Sequence, residues 1–362
     1  YPFQNNDGQT IMSRCVLESD SFSDTYYVYD KRTLLRAIIP PAAAGIVATS
    51  GVLSSANFAN HCYGFGYDDM GRCSIKHIPG QQGNSKTIWT PEGHPIFTQN
   101  PNQAQTGVWS FDIPDEFGRT ALIGETDSAE SELEIFAGNN PCASPDISMG
   151  EWKYYDIYGG FLNITTIHQA FYYDSYQFLA SHNASGKLSC LSAHIPGTVR
   201  TVTSTPSTKG LLTGVLSYEA ESGTQILSAL YYDRYGNLVQ TRSENILGGV
   251  STYVTHHDFQ GNVTLEREIH TTSSGRTDDL SQSYEYDRAG RLFMTITEVN
   301  GSAPVVTFNS YDDIGRKERS VILSGNNADS TIFSYNARGW YTRTLNNSYS
   351  SRLRYSNPVL TS

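Results

Sequence analysis

Between Arg291 and Thr297 the side chains alternate, with Leu292, Met294 and Ile296 on one side of a period of two and Phe293, Thr295 and Thr297 on the other. That period, with β-branched residues frequent, predicts a strand that is half buried or better. Tyr284-Glu285-Tyr286, Phe308-Asn309-Ser310-Tyr311 and Phe333-Ser334-Tyr335 read as the ends of incoming strands. The 3.6-residue period that a helix–strand repeat would carry is missing.

Between incoming and outgoing strands a hexapeptide returns, Tyr-Asp-x-x-Gly-Arg or a near variant. It stands as Tyr67-Asp68-Asp69-Met70-Gly71-Arg72, Tyr232-Asp233-Arg234-Tyr235-Gly236-Asn237, Tyr286-Asp287-Arg288-Ala289-Gly290-Arg291 and Tyr311-Asp312-Asp313-Ile314-Gly315-Arg316. Variants follow at His257-Asp258-Phe259-Gln260-Gly261-Asn262 and Tyr335-Asn336-Ala337-Arg338-Gly339-Trp340. Asp at the first position of a type I turn accepts backbone N–H groups, and Gly at the fourth supplies the positive φ that ends it. Asp-x-x-Gly is therefore a hairpin turn, and the Tyr before it is expected to face the Arg or Asn after it across two antiparallel strands. Stacked hairpins would align the motif tyrosines as a ladder, each cross-strand aromatic pair contributing roughly 0.2–1 kcal/mol.

Motif starts at Tyr232, His257, Tyr286, Tyr311 and Tyr335 are separated by 25, 29, 25 and 24 residues. Two strands and two short turns fill such a unit. Weaker copies occur at Tyr29-Asp30-Lys31-Arg32-Thr33, Trp89-Thr90-Pro91-Glu92-Gly93-His94 and Pro114-Asp115-Glu116-Phe117-Gly118-Arg119. Repeats of this kind must stack on their neighbours, so the expectation is an all-β spiral strip of antiparallel hairpins spanning 1–362 as one continuous region. Its most regular part is 231–355. Two segments break the pattern: 42–60, an Ala-, Ser- and Gly-rich insertion loop with room for one short helix, and 128–222. In the second, Tyr155-Asp156-Ile157-Tyr158-Gly159-Gly160 and Tyr173-Asp174-Ser175-Tyr176-Gln177 are distorted motif copies, and the loss of Gly at Gln177 requires a different turn or register.

This set of motifs resembles the YD repeats of the Rhs family, found in bacterial Rhs toxins, insecticidal toxin-complex proteins and the teneurin ectodomain. The likeness covers about two thirds of the chain, densest from Tyr231 to Tyr355 and recurring from Tyr27 to Arg119. Ile39-Pro40-Pro41-Ala42-Ala43, Ile96-Phe97-Thr98-Gln99 and Lys209-Gly210-Leu211-Leu212-Thr213-Gly214 look like the version in large Bacteroidetes surface proteins. The resemblance implies an open or curved β-hairpin sheet, a partial shell around a C-terminal toxin or effector domain. One departure is that the aspartate-based self-cleaving segment of the Rhs core, with its Asp-Pro elements, has no counterpart. The start at Tyr1, without Met or signal peptide, suggests a piece excised from a longer protein.

Composition narrows the choice of chemistry. Charged residues are 17% and aromatic residues 12%, with 24 Tyr, which suits short strands and turns. A net charge of −11 argues against general nucleic-acid binding, and no apolar run reaches the about 20 residues of a spanning helix. Cys15, Cys62, Cys73, Cys142 and Cys190 are odd in number and contain no Cys-x-x-Cys, which favours semi-buried thiols, a Cys62–Cys73 disulfide being the alternative. Gly80-Gln81-Gln82-Gly83-Asn84-Ser85-Lys86-Thr87 approaches a phosphate-binding loop, but Ser85 replaces a required Gly and Pro91 follows too soon for the helix, so a hairpin loop is expected. His256 and His257, adjacent in a strand, point to opposite faces and read as packed side chains. The motif aspartates serve their turns and are not paired across a cleft as glycoside hydrolysis requires.

No catalytic, cofactor or metal residue is expected. The sequence points to a non-enzymatic shell segment of a large secreted or cell-surface protein, partnered by neighbouring repeats and a C-terminal effector domain. The alternative is a surface module that binds glycan or protein through its exposed tyrosines.

Overall fold

The computed structural model describes residues 1–16, 22–145, 155–191, 208–218, 223–233 and 235–355. Strand accounts for 52% of the described residues and helix for 12%, and every pairing between the named strands is antiparallel, as the alternation and turn chemistry predict, with one isolated parallel bridge between Asp115 and Ala143. Contacts within the chain define two compact units, Tyr1–Phe171 and Tyr172–Ser362.

In the first unit the strands Pro2–Gln4, Thr10–Val16, Phe22–Tyr29, Leu35–Ile39, Tyr63–Tyr67, Cys73–His77, Ser85–Trp89, Pro95–Gln99, Trp109–Pro114 and Thr120–Thr126 pair in chain order, and Ile164–Tyr173 pairs with the last. The segment 42–60 differs from its expectation, because it holds two helices, Pro41–Ser50 and Ser55–His61. Pro41 presets the first turn of the first helix and Gly51 ends it; Ser54 caps the second by accepting from the Asn57 N–H at 3.2 Å. A third helix, Pro101–Thr106, begins with a reciprocal Asn100–Gln103 cap. The fourth, Glu130–Gly138, buries Leu133, Phe136 and Ala137, with the Phe136 ring 5.8 Å from Phe97. Ile96, Ile113, Leu122 and Tyr155 are also buried, each large apolar side chain contributing about 1.5–3 kcal/mol. Tyr155–Tyr158 pairs with Cys142–Pro145 in a separate two-stranded sheet. Asp156 therefore lies in a strand, correcting its reading as a motif turn.

The second unit is a run of hairpins from Leu212–Tyr218 to Ser350–Arg352, each strand pairing with the next in sequence. Its buried core lies at one end. There Leu216, Leu227, Ala229, Tyr231, Val239 and Val254 are buried, together with Phe178, Leu179 and Leu188 of two short helices. Gly214 makes this docking achievable, since a Cβ there would overlap the Phe178 ring. Among the described residues no helix is long and apolar enough to cross a membrane.

Candidate functional site

The recurring chemistry sits at the motif turns. In each, the Asp carbonyl accepts from the Gly N–H and the Asp N–H donates to the carbonyl four residues on, as in Gly290 to Asp287 at 2.9 Å and Asp287 to Arg291 at 2.9 Å. Gly290 takes φ 76°, the left-handed region that admits few side chains. The Asp287 carboxylate closes the turn from inside: Oδ1 accepts from the Ala289 and Arg291 N–H groups, and Oδ2 accepts from Arg291 Nε at 2.7 Å. The Arg291 N–H and guanidinium hold this carboxyl below the usual range. Asp68, Asp115 and Asp312 repeat the arrangement with Arg72, Arg119 and Arg316, while Asp233 and Asp258 bond the Asn237 and Asn262 amides. Asn336 keeps the backbone part, accepting from the Trp340 N–H.

The motif tyrosine does not face the Arg. Asp and Arg form the closing pair, and the strand register shifts just before it, so Tyr67, Tyr232, Tyr286, Tyr311 and Tyr335 oppose Cys73, Leu238, Leu292, Lys317 and Tyr341. The physical reason is the bulge that a left-handed Gly imposes on a three-residue hairpin loop.

Each aromatic side chain instead reaches the previous repeat. Tyr67 Oη donates to the Leu35 carbonyl at 2.8 Å, Tyr286 to Val263 at 2.8 Å, Tyr311 to Leu292 at 2.8 Å, Tyr335 to Lys317 at 2.9 Å and Tyr355 to Tyr341 at 2.8 Å. Trp89 Nε1 serves in the same way on Cys73. The acceptor is always the residue just after the preceding motif. From the other side, the guanidinium of Arg291 lies 4.7 Å from the Tyr311 ring centre, and that of Arg316 lies 4.8 Å from Tyr335. The turns at Arg291 and Arg316 are thus each stitched twice to the next, by a hydroxyl pointing back and a cation pointing forward, and where Asn262 or Trp340 stands for Arg the hydroxyl alone remains. At one junction both parts change: Asn237 stands for Arg, and His257 for Tyr, with the His256 and His257 Nδ1 atoms buried and unpartnered.

Several turns escaped sequence reading. Asn5, Asn245 and Thr272 open the same backbone turn with Gly8, Gly248 and Gly275 in the fourth place. Asx or Thr four residues before Gln, Gly or Arg, with Gly between, was the available signal; no aromatic residue precedes these copies. Thr33 fills the fourth place at Asp30 with φ 64°. Tyr173-Asp174 is a motif cut open: Asp174 N–H donates to the Leu211 carbonyl at 3.0 Å, and Tyr232 Oη donates to Leu212 at 2.6 Å, as if 175–210 were the turn.

Outside the turns, Tyr253, Thr255, Glu266, Glu268, Leu280 and Gln282 line an open groove. Tyr284 Oη donates to Glu266 at 2.7 Å and Tyr253 Oη to Glu268 at 2.8 Å. Burial and then the Glu266 bond push the Tyr284 hydroxyl up to about 12. The Gly80–Thr87 stretch joins two strands, and its Lys86 pairs with Glu130 at 2.6 Å. The five cysteines are free thiols, with Cys62 buried.

No protein-family profile and no curated protein matches this chain. Among solved structures it is similar to TcdB2-TccC3-TEV, at 13% identity and TM-score 0.49, over 96% of this chain and 15% of that one. It is also similar to the Photorhabdus luminescens Tc holotoxin pore, at 14% identity and TM-score 0.49 over 96% and 15%. A third is TcdB2-TccC3 without its hypervariable C-terminal region, at 14% and TM-score 0.46 over 96% and 15%. The chain spans about 15% of the length of these solved chains.

Proposed function

We propose that this chain is a non-enzymatic wall segment of a large secreted or surface-attached Rhs-type protein, which holds or presents a toxin or other effector domain outside the cell. The double stitch carries this reading. Where Arg and the next aromatic residue are both present, it ties one hairpin to the next through groups internal to the sheet, engaging hydroxyl, guanidinium and carboxylate alike in structural bonds. Such a wall extends by adding repeats and needs no cofactor. Limited proteolysis of the full-length parent protein tests the reading. An effector segment outside this chain should resist protease in the parent and be digested when expressed alone, and Tyr311→Phe with Tyr335→Phe should speed its digestion in the parent. Equal digestion of free and parent-borne effector would refute it.

A second reading, a glycan- or protein-binding surface, is favoured by the groove at Tyr253 and Glu268. Its rings and carboxylates suit sugar hydroxyls, and a glycan array should then show binding that Tyr253→Ala removes.

A further inference from the structure

We infer that the sheet carries a joint that parts in acid, between strands Leu238–Glu244 and Val250–His257 at the end nearest the motif turns. Two observations meet there: a latch is missing, and two imidazole nitrogens are buried without a partner.

Four motif junctions of the second unit share one kind of mouth. Backbone pairing across each starts at the third residue after the motif, with Leu265 opposite Ser283, Met294 opposite Phe308, Arg319 opposite Ile332 and Arg343 opposite Arg352. The gap left beside the turn is closed by the motif tyrosine, whose hydroxyl donates to Val263, Leu292, Lys317 and Tyr341 in turn. Between Leu238 and His257 the ladder starts in the same way, with Gln240 opposite Val254. Here an imidazole stands where the hydroxyl is needed, and Asn237, spent on Asp233 at 2.9 Å, sends no cation forward.

That gap holds His256 and His257 instead, each with its Nδ1 buried and unpartnered. A neutral imidazole can keep its proton on Nε2 and leave Nδ1 bare, whereas an imidazolium carries a proton on both. Protonation of His256 in the closed joint would therefore put a charged N–H where no acceptor lies. Alternation sets Leu238 and Gln240 of the preceding strand and Leu265 and Arg267 of the following one on the face of His256. Arg267 is the one charge among them, and Asp279 holds it at 2.6 Å. The covering segment brings Leu191, bonded to Gln240, and Cys190, whose thiol burial pushes up, while Arg242 is turned to the Ser189 carbonyl. On the opposite face are His257, Asp258, which the Asn262 amide engages, and Glu266, across from Thr255. Among the described residues neither imidazole has an ion-pair partner. Burial, and then His257, holds the His256 ring below its usual value. The closed joint prefers the neutral ring, and parting of the strands lets water reach Nδ1. The joint belongs to the strip itself and does not depend on the shell reading.

The test is hydrogen exchange read by mass spectrometry on the full chain at about pH 7.5 and about pH 5.5, with exchange times scaled for the intrinsic pH dependence of amides. An open-state imidazole near 6.5 favours opening by about ten-fold between these two values. Amides of 238–241 and 253–257 should lose protection by about that factor, while those of 292–295 and 307–311, at the junction latched by Tyr311, should keep theirs. His256→Gln should remove the loss. Asn237→Arg with His257→Tyr supplies both missing parts and leaves His256 in place, and it should hold the loss to about two-fold or less. Equal protection at both pH values in the parent would overturn the proposal, as would a loss of the same size at the Tyr311 junction or one that survives His256→Gln. A repaired junction that opens as far as the parent would overturn it too, since the missing hydroxyl and cation would then have no part in the joint.

Discussion

Strands Leu212–His257 and strands Val263–Arg352 belong to one run of hairpins with one motif, yet they are held differently. In the first group the face bearing Leu216, Leu227, Ala229, Tyr231 and Val254 is covered by Phe178 and Leu188, and these side chains are buried. Register carries that face onward through Leu265, Ile296, Val306 and Leu323, none of which is buried, to Leu345, 37% exposed. Where cover stops, the stitches become regular: Tyr286, Tyr311, Tyr335 and Tyr355 follow without a break, while the Asn237–His257 junction, inside the covered group, lacks both parts. A sheet can trade buried area for inter-turn bonds, and the two substitutes differ in size and in sensitivity to solvent.

The sharpest way to break the comparison is to remove cover. Phe178→Ala should cost about 3–5 kcal/mol, read as a fall in the urea midpoint of the second unit. Gly290→Val, in the uncovered group, should cost about 1–2 kcal/mol through backbone strain alone, because its Cβ would meet nothing within 4 Å. Asp287→Ala removes carboxylate bonds and leaves the Gly290–Asp287 backbone bond, so a smaller fall in midpoint than for Gly290→Val is expected. An unchanged midpoint in both would mean that the turn does not hold the strip. Tyr311→Phe should cost about 0.5–1.5 kcal/mol, with a coupled loss when joined to Arg291→Gln in a double-mutant cycle. Strictly additive effects would show that hydroxyl and guanidinium act separately.

Acid sharpens the same contrast. Burial, with help from His257, lowers the His256 pKa, so the unfolded state binds the proton more readily. The neutral ring's contribution is complete above the unfolded value of about 6.5 and is lost as pH falls toward the folded one. The carboxyls of Asp258, lowered first by the Asn262 amide, and of Asp287, lowered by Arg291, contribute above about 3.9 and lose that contribution as pH falls through their folded values. Stability should therefore decline in two stages, and His256→Gln should flatten only the upper one. A single decline below about pH 4 in both proteins would remove His256 from the account.

Much of the fold was legible because the turn is local. Asp287, Gly290 and Arg291 lie within five residues, and their chemistry needs no tertiary context. The stitch was not legible: Tyr311 meets Leu292 only after the bulge has set the register, and pairing Tyr with Arg placed the hydroxyl on the wrong neighbour. Helix Pro101–Thr106 carried a readable signal in Asn100-Pro101 and Gln103, outweighed by the strand patterns on either side. Helix Glu130–Gly138 was harder, since its buried Leu133, Phe136 and Ala137 take their meaning from Phe97, far away in sequence.

The opened turn at Asp174 and Leu211 has a use for protein engineering. Its closing backbone bond measures 3.0 Å across an intervening segment of thirty-six residues, against 2.9 Å where Asp287 closes on Arg291 over three. Loop length adds only slowly to the entropy of closure, so a motif turn whose ends are held by strands can act as a socket. Foreign sequence grafted between Asp and the residue that follows Gly, at any motif turn, would be displayed along one margin of the sheet at intervals set by the repeat.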